Sequence, residues 1–324
     1  MDIHSHTRFI KALALRHGFM GAGIARAEHM DEEAGRLEAW LRQGYHGEMS
    51  YMANHFELRT DPTKLVPGAK SVISLMYNYY PQEGMATSAE GQDLKISRYA
   101  FGEDYHKVIR RKLKSMVREM QQEIGDFSAR VFVDSGPVLE RDWARRSGLG
   151  WIGKNTLTIH PRMGSYFFLA EIILDVELEY DYPIRDHCGT CTRCIDACPT
   201  EAISPEGYVL DGSKCISYLT IELKDEIPKA FQDKMEGWIY GCDICQEVCP
   251  WNRFSTPHME PAFQKKEELQ QMTDRDWIEM TAEVFDEIFE KSAVKRVGYD
   301  GLKRNILFLS SSKHDDSILT DEAS

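Results

Sequence analysis

Cysteine is missing from the first 187 residues and from the last 75; all eight cysteines fall between positions 188 and 249. That clustering excludes a disulfide scaffold, which would spread its cysteines through a small secreted chain, and points to metal. Long apolar runs are also missing. No stretch of about 18 apolar residues exists, so no transmembrane helix is expected. Positive charge is scarce: 39 Lys and Arg against 52 Asp and Glu leave a net charge of −13. This argues against nucleic-acid binding through a broad basic surface, because phosphate contacts need Lys and Arg. A local basic face can still hide inside that average. The opening MDIHSHTRFIKALALRHG lacks the basic start and apolar block of an export signal, so a cytoplasmic protein is expected.

The cysteines themselves form two motifs. CGTCTRCIDACPT (188–200) reads C-x2-C-x2-C-x3-C-P, and CDICQEVCPWN (242–252) reads C-x2-C-x3-C-P. Such spacing lets three thiolates of one loop reach three corners of a cubane. In bacterial ferredoxin runs the fourth cysteine ligates the other cluster. By that rule one 4Fe-4S cluster takes Cys188, Cys191, Cys194 and Cys249. The other takes Cys242, Cys245, Cys198 and Cys215, and no cysteine is left over. Zinc ribbons also use C-x2-C pairs, but seldom three thiolates at this spacing with a fourth before proline. Two cubanes make a short wire, which is expected to feed a centre held by the N-terminal region.

That region reads as mixed α/β. Helices are expected over 8–18 and 32–44, and strands over 21–27, 70–80, 129–134 and 165–178, with a polar loop at 81–95. Val108, Ile109, Leu113, Met116, Val117, Met120 and Ile124 form the apolar stripe of a helix over 104–124. Its other face carries Lys107, Arg110, Arg111, Lys112, Lys114 and Arg118, either a solvated face or a binding surface. After the cysteines, 256–269 reads as a polar linker. Helical patterns fill 265–312, and the last dozen residues read as frayed.

Candidate chemistry concentrates in VDSGPVLERDWARRSGLGWIGKNT (133–156). A strand ends at Asp134, a turn and a helix over 138–148 follow, and three glycines precede Lys154, Asn155 and Thr156. The glycines permit close approach to a bulky ligand or simply make turns, and Lys154 and Asn155 could meet phosphate or amide groups. Asp134, at a strand's carboxyl end, is a catalytic candidate by analogy with open α/β sheets. A turn or N-cap aspartate is the alternative.

Together, VDSGPVLER, GLGWIGKN, CTRCIDACPT, CISYLT and YGCDICQEVCPWN resemble the epoxyqueuosine reductase family, over about residues 8–309. The resemblance implies an N-terminal α/β cobalamin-binding catalytic domain (1–180), a ferredoxin-type domain with two 4Fe-4S clusters (181–256) and a C-terminal helical segment (257–324). It implies reduction of epoxyqueuosine to queuosine at the wobble position of tRNA, the last step of queuosine biosynthesis. The clusters would feed electrons to cobalamin, whose cobalt supplies the reactivity while the protein supplies position and a proton. The implied acid is Asp134, whose pKa a desolvated pocket beside the corrin would raise. Implied cobalamin contacts are Arg59, Ser97, Asp134, Thr158, His160 and Ser165, with Ser217 and Asp243 from the cluster side. No protein histidine is expected on cobalt, since DYHKVI (104–109) lacks the final glycine of D-x-H-x-x-G.

Transfer RNA would meet basic patches at 107–118, at Arg145 and Arg146, and at Lys291, Lys295, Arg296, Lys303 and Arg304, with the wobble nucleotide splayed out. An external electron donor, a monomer and no membrane are expected. Longer family members continue into a helical-repeat domain, so this chain reads as a short form. The alternatives are a reductive dehalogenase-like reductase of a small molecule with the same cofactors, an electron-transfer or tRNA-binding module, and a zinc adaptor.

Overall fold

The computed structural model describes residues 2–82 and 93–321, with side chains as far as Ser310. The chain begins with α1 (Ile3–Arg16), β1 (Gly21–Arg26), α2 (Asp31–Arg42), the short α3 (Phe56–Thr60) and α4 (Pro62–Leu65), and β2 (Ser71–Asn78). After β3 (Lys95–Ile96) come α5 (Tyr105–Ile124), β4 (Ala129–Phe132), α6 (Glu140–Arg146), β5 (Trp151–Ile152), β6 (Thr158–Ile159) and β7 (Phe167–Leu174). The cysteine region holds α7 (Arg193–Asp196), α8 (Ile216–Ile221), β8 (Trp238–Tyr240) and α9 (Ile244–Glu247). Four helices follow: α10 (Glu267–Gln271), α11 (Asp274–Glu279), α12 (Ala282–Ile288) and α13 (Gly298–Asp321).

A four-stranded sheet in the order β1-β2-β7-β4 forms the first layer, and every pairing in it is antiparallel. Strand β2 is buried from Ser71 to Tyr77 and mostly apolar because both its faces are covered. Ile73, Leu75 and Tyr77 pack on α1 and α5, while Val72 and Met76 face α6. Helix α5 starts at Asp104, whose carboxylate caps the His106 amide, and it buries Val108, Ile109, Leu113, Met116 and Met120 against that sheet. Truncating one of them, such as Leu113→Ala, costs about 2–5 kcal/mol. Because the sheet is antiparallel, the argument from the carboxyl ends of parallel strands does not apply to Asp134. Asp134 lies two residues past β4, in a turn.

Strand β3 leaves this layer and pairs in parallel with β8. Ile96, Ala100 and Phe101 thereby join a second core with Ile216, Trp238, Trp277, Phe289 and Leu302. The stretch read as a polar linker is anchored: the His258 amide donates to the Tyr80 carbonyl at 2.8 Å, and Phe263 is buried against Tyr77 and Phe168. One apolar anchor amid polar neighbours was too little signal. Helix α13 continues to Asp321, through residues expected to be frayed. Of the polar loop expected at 81–95, residues 83–92 lie outside the described residues. No described helix is long and apolar enough to cross a membrane.

Candidate active site

Asp134 has a positive φ of 55°, a conformation that costs a non-glycine residue on the order of 1–3 kcal/mol. The Ser135 amide closes the turn on the Val133 carbonyl at 2.6 Å, and the Asp134 amide donates to Glu140 Oε1 at 2.6 Å. From the first turn of α5, His106 Nε2 meets Asp134 Oδ2 at 3.0 Å, and His106 Nδ1 meets Asp104 Oδ1 at 2.7 Å. Tyr105 is sandwiched between His106 and Phe168, with ring centroids 4.1 and 4.0 Å away.

Burial works against a charged His106, but hydrogen bonds to Asp104 and Asp134 outweigh it and lift its pKa to about 9. Burial also pushes the Asp134 carboxyl up. The hydrogen bond and charge of His106, with help from Tyr105 and Arg296, overcome that and hold it below the usual range. In the ligand-free site the pairing with His106 thus opposes the raised Asp134 expected in a desolvated pocket beside a bound corrin. In the sequence, the D-Y-H triplet that places this histidine shows only a cobalt-ligand motif without its final glycine.

A cavity of about 770 Å³ opens at Asp134. Arg59, Asp134, Thr158 and Ser165, four of the expected cofactor contacts, line it together with Tyr79, Tyr99, Tyr105, Phe168, Gln246 and Arg296. Ser97, His160, Ser217 and Asp243 are not on its wall. Ser97 and Asp243 are buried and satisfy each other, hydroxyl to carboxylate at 2.5 Å, while Asp243 also takes the Arg98 amide and guanidinium at 2.9 Å. His160 accepts the Arg162 amide and pairs with Gly164. Ser217 lies in α8. The wall suits a large, flat group with polar edges: aromatic faces supply the apolar part, and the buried Thr158 hydroxyl has no partner among the described residues.

The eight cysteines are free thiols, each partly buried. Burial pushes Cys194 up to about 11, and Cys188, Cys249 and Cys191 add to it. Cys249 is raised by burial and in turn feels Cys188 and Cys191. Cys215 is raised by burial and feels Cys198. Cys242 feels Cys245 and Cys215, and Cys245 feels Cys215, Cys194 and Cys198. The charge neighbours thus fall into two foursomes that touch through Cys194 and Cys245. Among the described residues no three such side chains converge closely enough to hold a single metal ion. Dense, partly buried thiols of this kind are costly to ionise without a cation, and a bound metal reverses that balance.

Lys154 and Asn155 have a different task from the one expected. Lys154 Nζ donates to the carbonyls of Gly189 and Cys191 at 2.8 and 3.0 Å, and Asn155 donates to the Cys245 carbonyl at 3.2 Å. They tie both cysteine loops to the catalytic layer. The nearby glycines serve the β5–β6 hairpin: a Cβ on Gly150 would lie 2.5 Å from the Ile159 carbonyl.

Most of the expected basic patches are spent internally. Arg145 and Arg146 hold the buried Glu33 at 2.6 and 2.8 Å. Arg296 pairs with Glu222, Lys295 with Asp286, and Lys303 and Arg304 donate to backbone carbonyls. On α5, by contrast, Lys107, Arg110, Arg111, Lys114 and Arg118 are exposed.

Residues 59–135 match the family model described as epoxyqueuosine reductase QueG, and residues 187–252 match the model of a 4Fe-4S double cluster binding domain. The chain is 56% identical to the epoxyqueuosine reductase of Leadbetterella byssophila, over 95% of this chain and 99% of the relative. It is 41% identical to that of Escherichia coli, over 99% of this chain and 85% of the relative. A crystal structure of epoxyqueuosine reductase with a tRNA-Tyr epoxyqueuosine-modified stem loop matches with a TM-score of 0.86 at 30% identity, covering 95% of this chain and 81% of that one. A Bacillus subtilis structure, with its catalytic aspartate loop swung out of the active site, matches with a TM-score of 0.87 at 29% identity, covering 99% and 85%.

Proposed function

The chain belongs to the epoxyqueuosine reductase family, and on that premise we propose how its residues carry the reaction. It is an oxidoreductase that reduces epoxyqueuosine to queuosine in tRNA. The change takes two electrons and two protons: both C–O bonds of the epoxide break, a C=C bond forms, and the oxygen leaves as water.

The cavity at Asp134 is the cobalamin site, held by Arg59, Thr158 and Ser165; cobalamin, when bound, would supply a strongly reducing cobalt centre. The two cysteine foursomes hold the 4Fe-4S clusters, Cys188, Cys191, Cys194 and Cys249 on one and Cys198, Cys215, Cys242 and Cys245 on the other. Their proximity through Cys194 and Cys245 supports a relay for electrons from an external donor. Asp134 gives the departing oxygen the proton that His106 holds in the ligand-free state. The exposed cations of α5, which begin at Lys107 beside His106, face the tRNA backbone. On this reading a cobalamin domain (1–180), a two-cluster domain (181–256) and a helical segment (257–324) work as a cytoplasmic monomer.

One observation carries the reading. A single cavity has Asp134 on one wall and Gln246, the neighbour of Cys245, on another. Titrating anaerobically reconstituted protein with cobalamin should give a saturable spectral change, weakened by Thr158→Val and Arg59→Ala. Absence of any binding would remove the cavity as the cofactor site.

A further inference from the structure

The reduction consumes two protons, and the Asp134–His106 pair holds one. Behind it lies a pair of carboxyl groups with no part in the chemistry so far. Glu171 lies in the middle of the sheet, 0% exposed, opposite Ser74 on β2 and Phe132 on β4. Glu140 opens α6, lines the cavity, and takes the Asp134 amide on Oε1 at 2.6 Å. The two glutamates lie within hydrogen-bonding reach of each other.

Among the described residues, no lysine or arginine is a leading charge on either glutamate. The titratable groups that face Glu140 are Asp134, Glu171, His106 and Tyr105, and those that face Glu171 are Glu140 and Asp134. Of these only His106 carries positive charge, and it is already engaged by Asp134 and Asp104. Among the other described residues, no donor meets either Glu171 oxygen. Two ionised carboxylates repel and cannot bond, whereas one proton between them makes a hydrogen bond and removes a buried charge. Burial, then the charge of Asp134, pushes Glu140 up to about 8, and burial with Glu140 beside it lifts Glu171 well above its usual range.

We propose that Glu140, on the cavity wall, and the buried Glu171 behind it form a proton store that supplies the second proton of the reduction through Asp134. This rests on the reaction and the role of Asp134 given above. Asp134 delivers its first proton to the epoxide oxygen, takes a second from Glu140, and delivers that to the same oxygen, which leaves as water. The electrons come from the external donor, and the pair regains its proton from solvent after product release. Glu140 acts through Asp134, so it is a positioning and proton-holding residue. Its grip on the Asp134 amide keeps the strained turn in place.

Glutamine substitution separates the two tasks, because it keeps a carbonyl acceptor and removes the acidic proton. Infrared titration of the ligand-free protein should show a protonated-carboxyl band that persists at pH 7, is reduced as Glu140 titrates near pH 8, and is missing from E140Q/E171Q. In single turnovers with epoxyqueuosine tRNA, wild-type activity should be full below about pH 8 and fall above it. E140Q should bind tRNA as tightly, run about 10- to 100-fold slower and lose that limb of the pH profile. E171Q, which leaves the Asp134 contact untouched, should behave alike. The proton store is overturned if the band is missing from wild type at pH 7, or if both variants match wild-type rate and pH profile. Wild-type protein that binds this tRNA and makes no queuosine would instead overturn the reaction on which the inference rests.

Discussion

His106 joins two aspartates, Asp104 through Nδ1 and Asp134 through Nε2, so the candidate acid is held by an imidazolium that is itself oriented from behind. The histidine's raised pKa contributes pairing that is fully present below its ordinary value of about 6.5 and is lost as pH rises through about 9. The lowered Asp134 contributes pairing that is present above its ordinary value and lost as pH falls through its folded one. The contribution is therefore full between about pH 4 and pH 6.5 and fades as pH rises through about 9. Histidine NMR on ligand-free protein should place the His106 midpoint near 9, with Asp134→Asn lowering it. A midpoint at the ordinary value in wild type would contradict the pairing.

Asp134→Asn should keep the turn, because the Glu140 contact is to the backbone amide. It should retain clusters and cobalamin and lose turnover by about 10²–10⁴-fold. Full activity in this variant would remove Asp134 as the essential acid.

How far the sequence foretold this site depends on distance along the chain. The cysteine motifs are local, since loop spacing alone brings three thiolates together, and the buried run of β2 announces itself by composition. His106 and Asp134 are 28 residues apart, and Ser97 and Asp243 are 146 apart. No periodicity links such positions, so Asp243 reads as a free ligand and proves to be a partner of Ser97 and Arg98. Lys154 likewise reads as a ligand contact, to phosphate or amide, until the fold brings the Gly189 and Cys191 carbonyls to it.

Arg98 is the hinge of that second contact. Its guanidinium and Asp243 are both almost fully buried, and Glu247 joins them at 2.6 Å. Arg98→Ala would leave Asp243 charged and incompletely paired beside Cys242, at about 3–5 kcal/mol. Thermal melts should show a large loss of stability, and iron retention should fall with it. Wild-type melting and iron content would show that the pair does not brace the cysteine loop.

Charge reversal on α5 should act on affinity alone. Arg110→Glu with Arg111→Glu and Lys114→Glu should weaken tRNA binding steeply at low salt and flatten its salt dependence, while turnover at saturating tRNA persists. Arg145→Glu should instead destabilise the fold, because Arg145 holds the buried Glu33. Unchanged affinity in the α5 variant would move the tRNA surface elsewhere.

The most direct measurement is a single turnover of anaerobically reconstituted, reduced protein with epoxyqueuosine-containing tRNA, with and without cobalamin, the nucleosides read by mass spectrometry. Queuosine formed only when cobalamin is present is the predicted result. No queuosine from protein shown to carry both clusters and cobalamin would contradict the account.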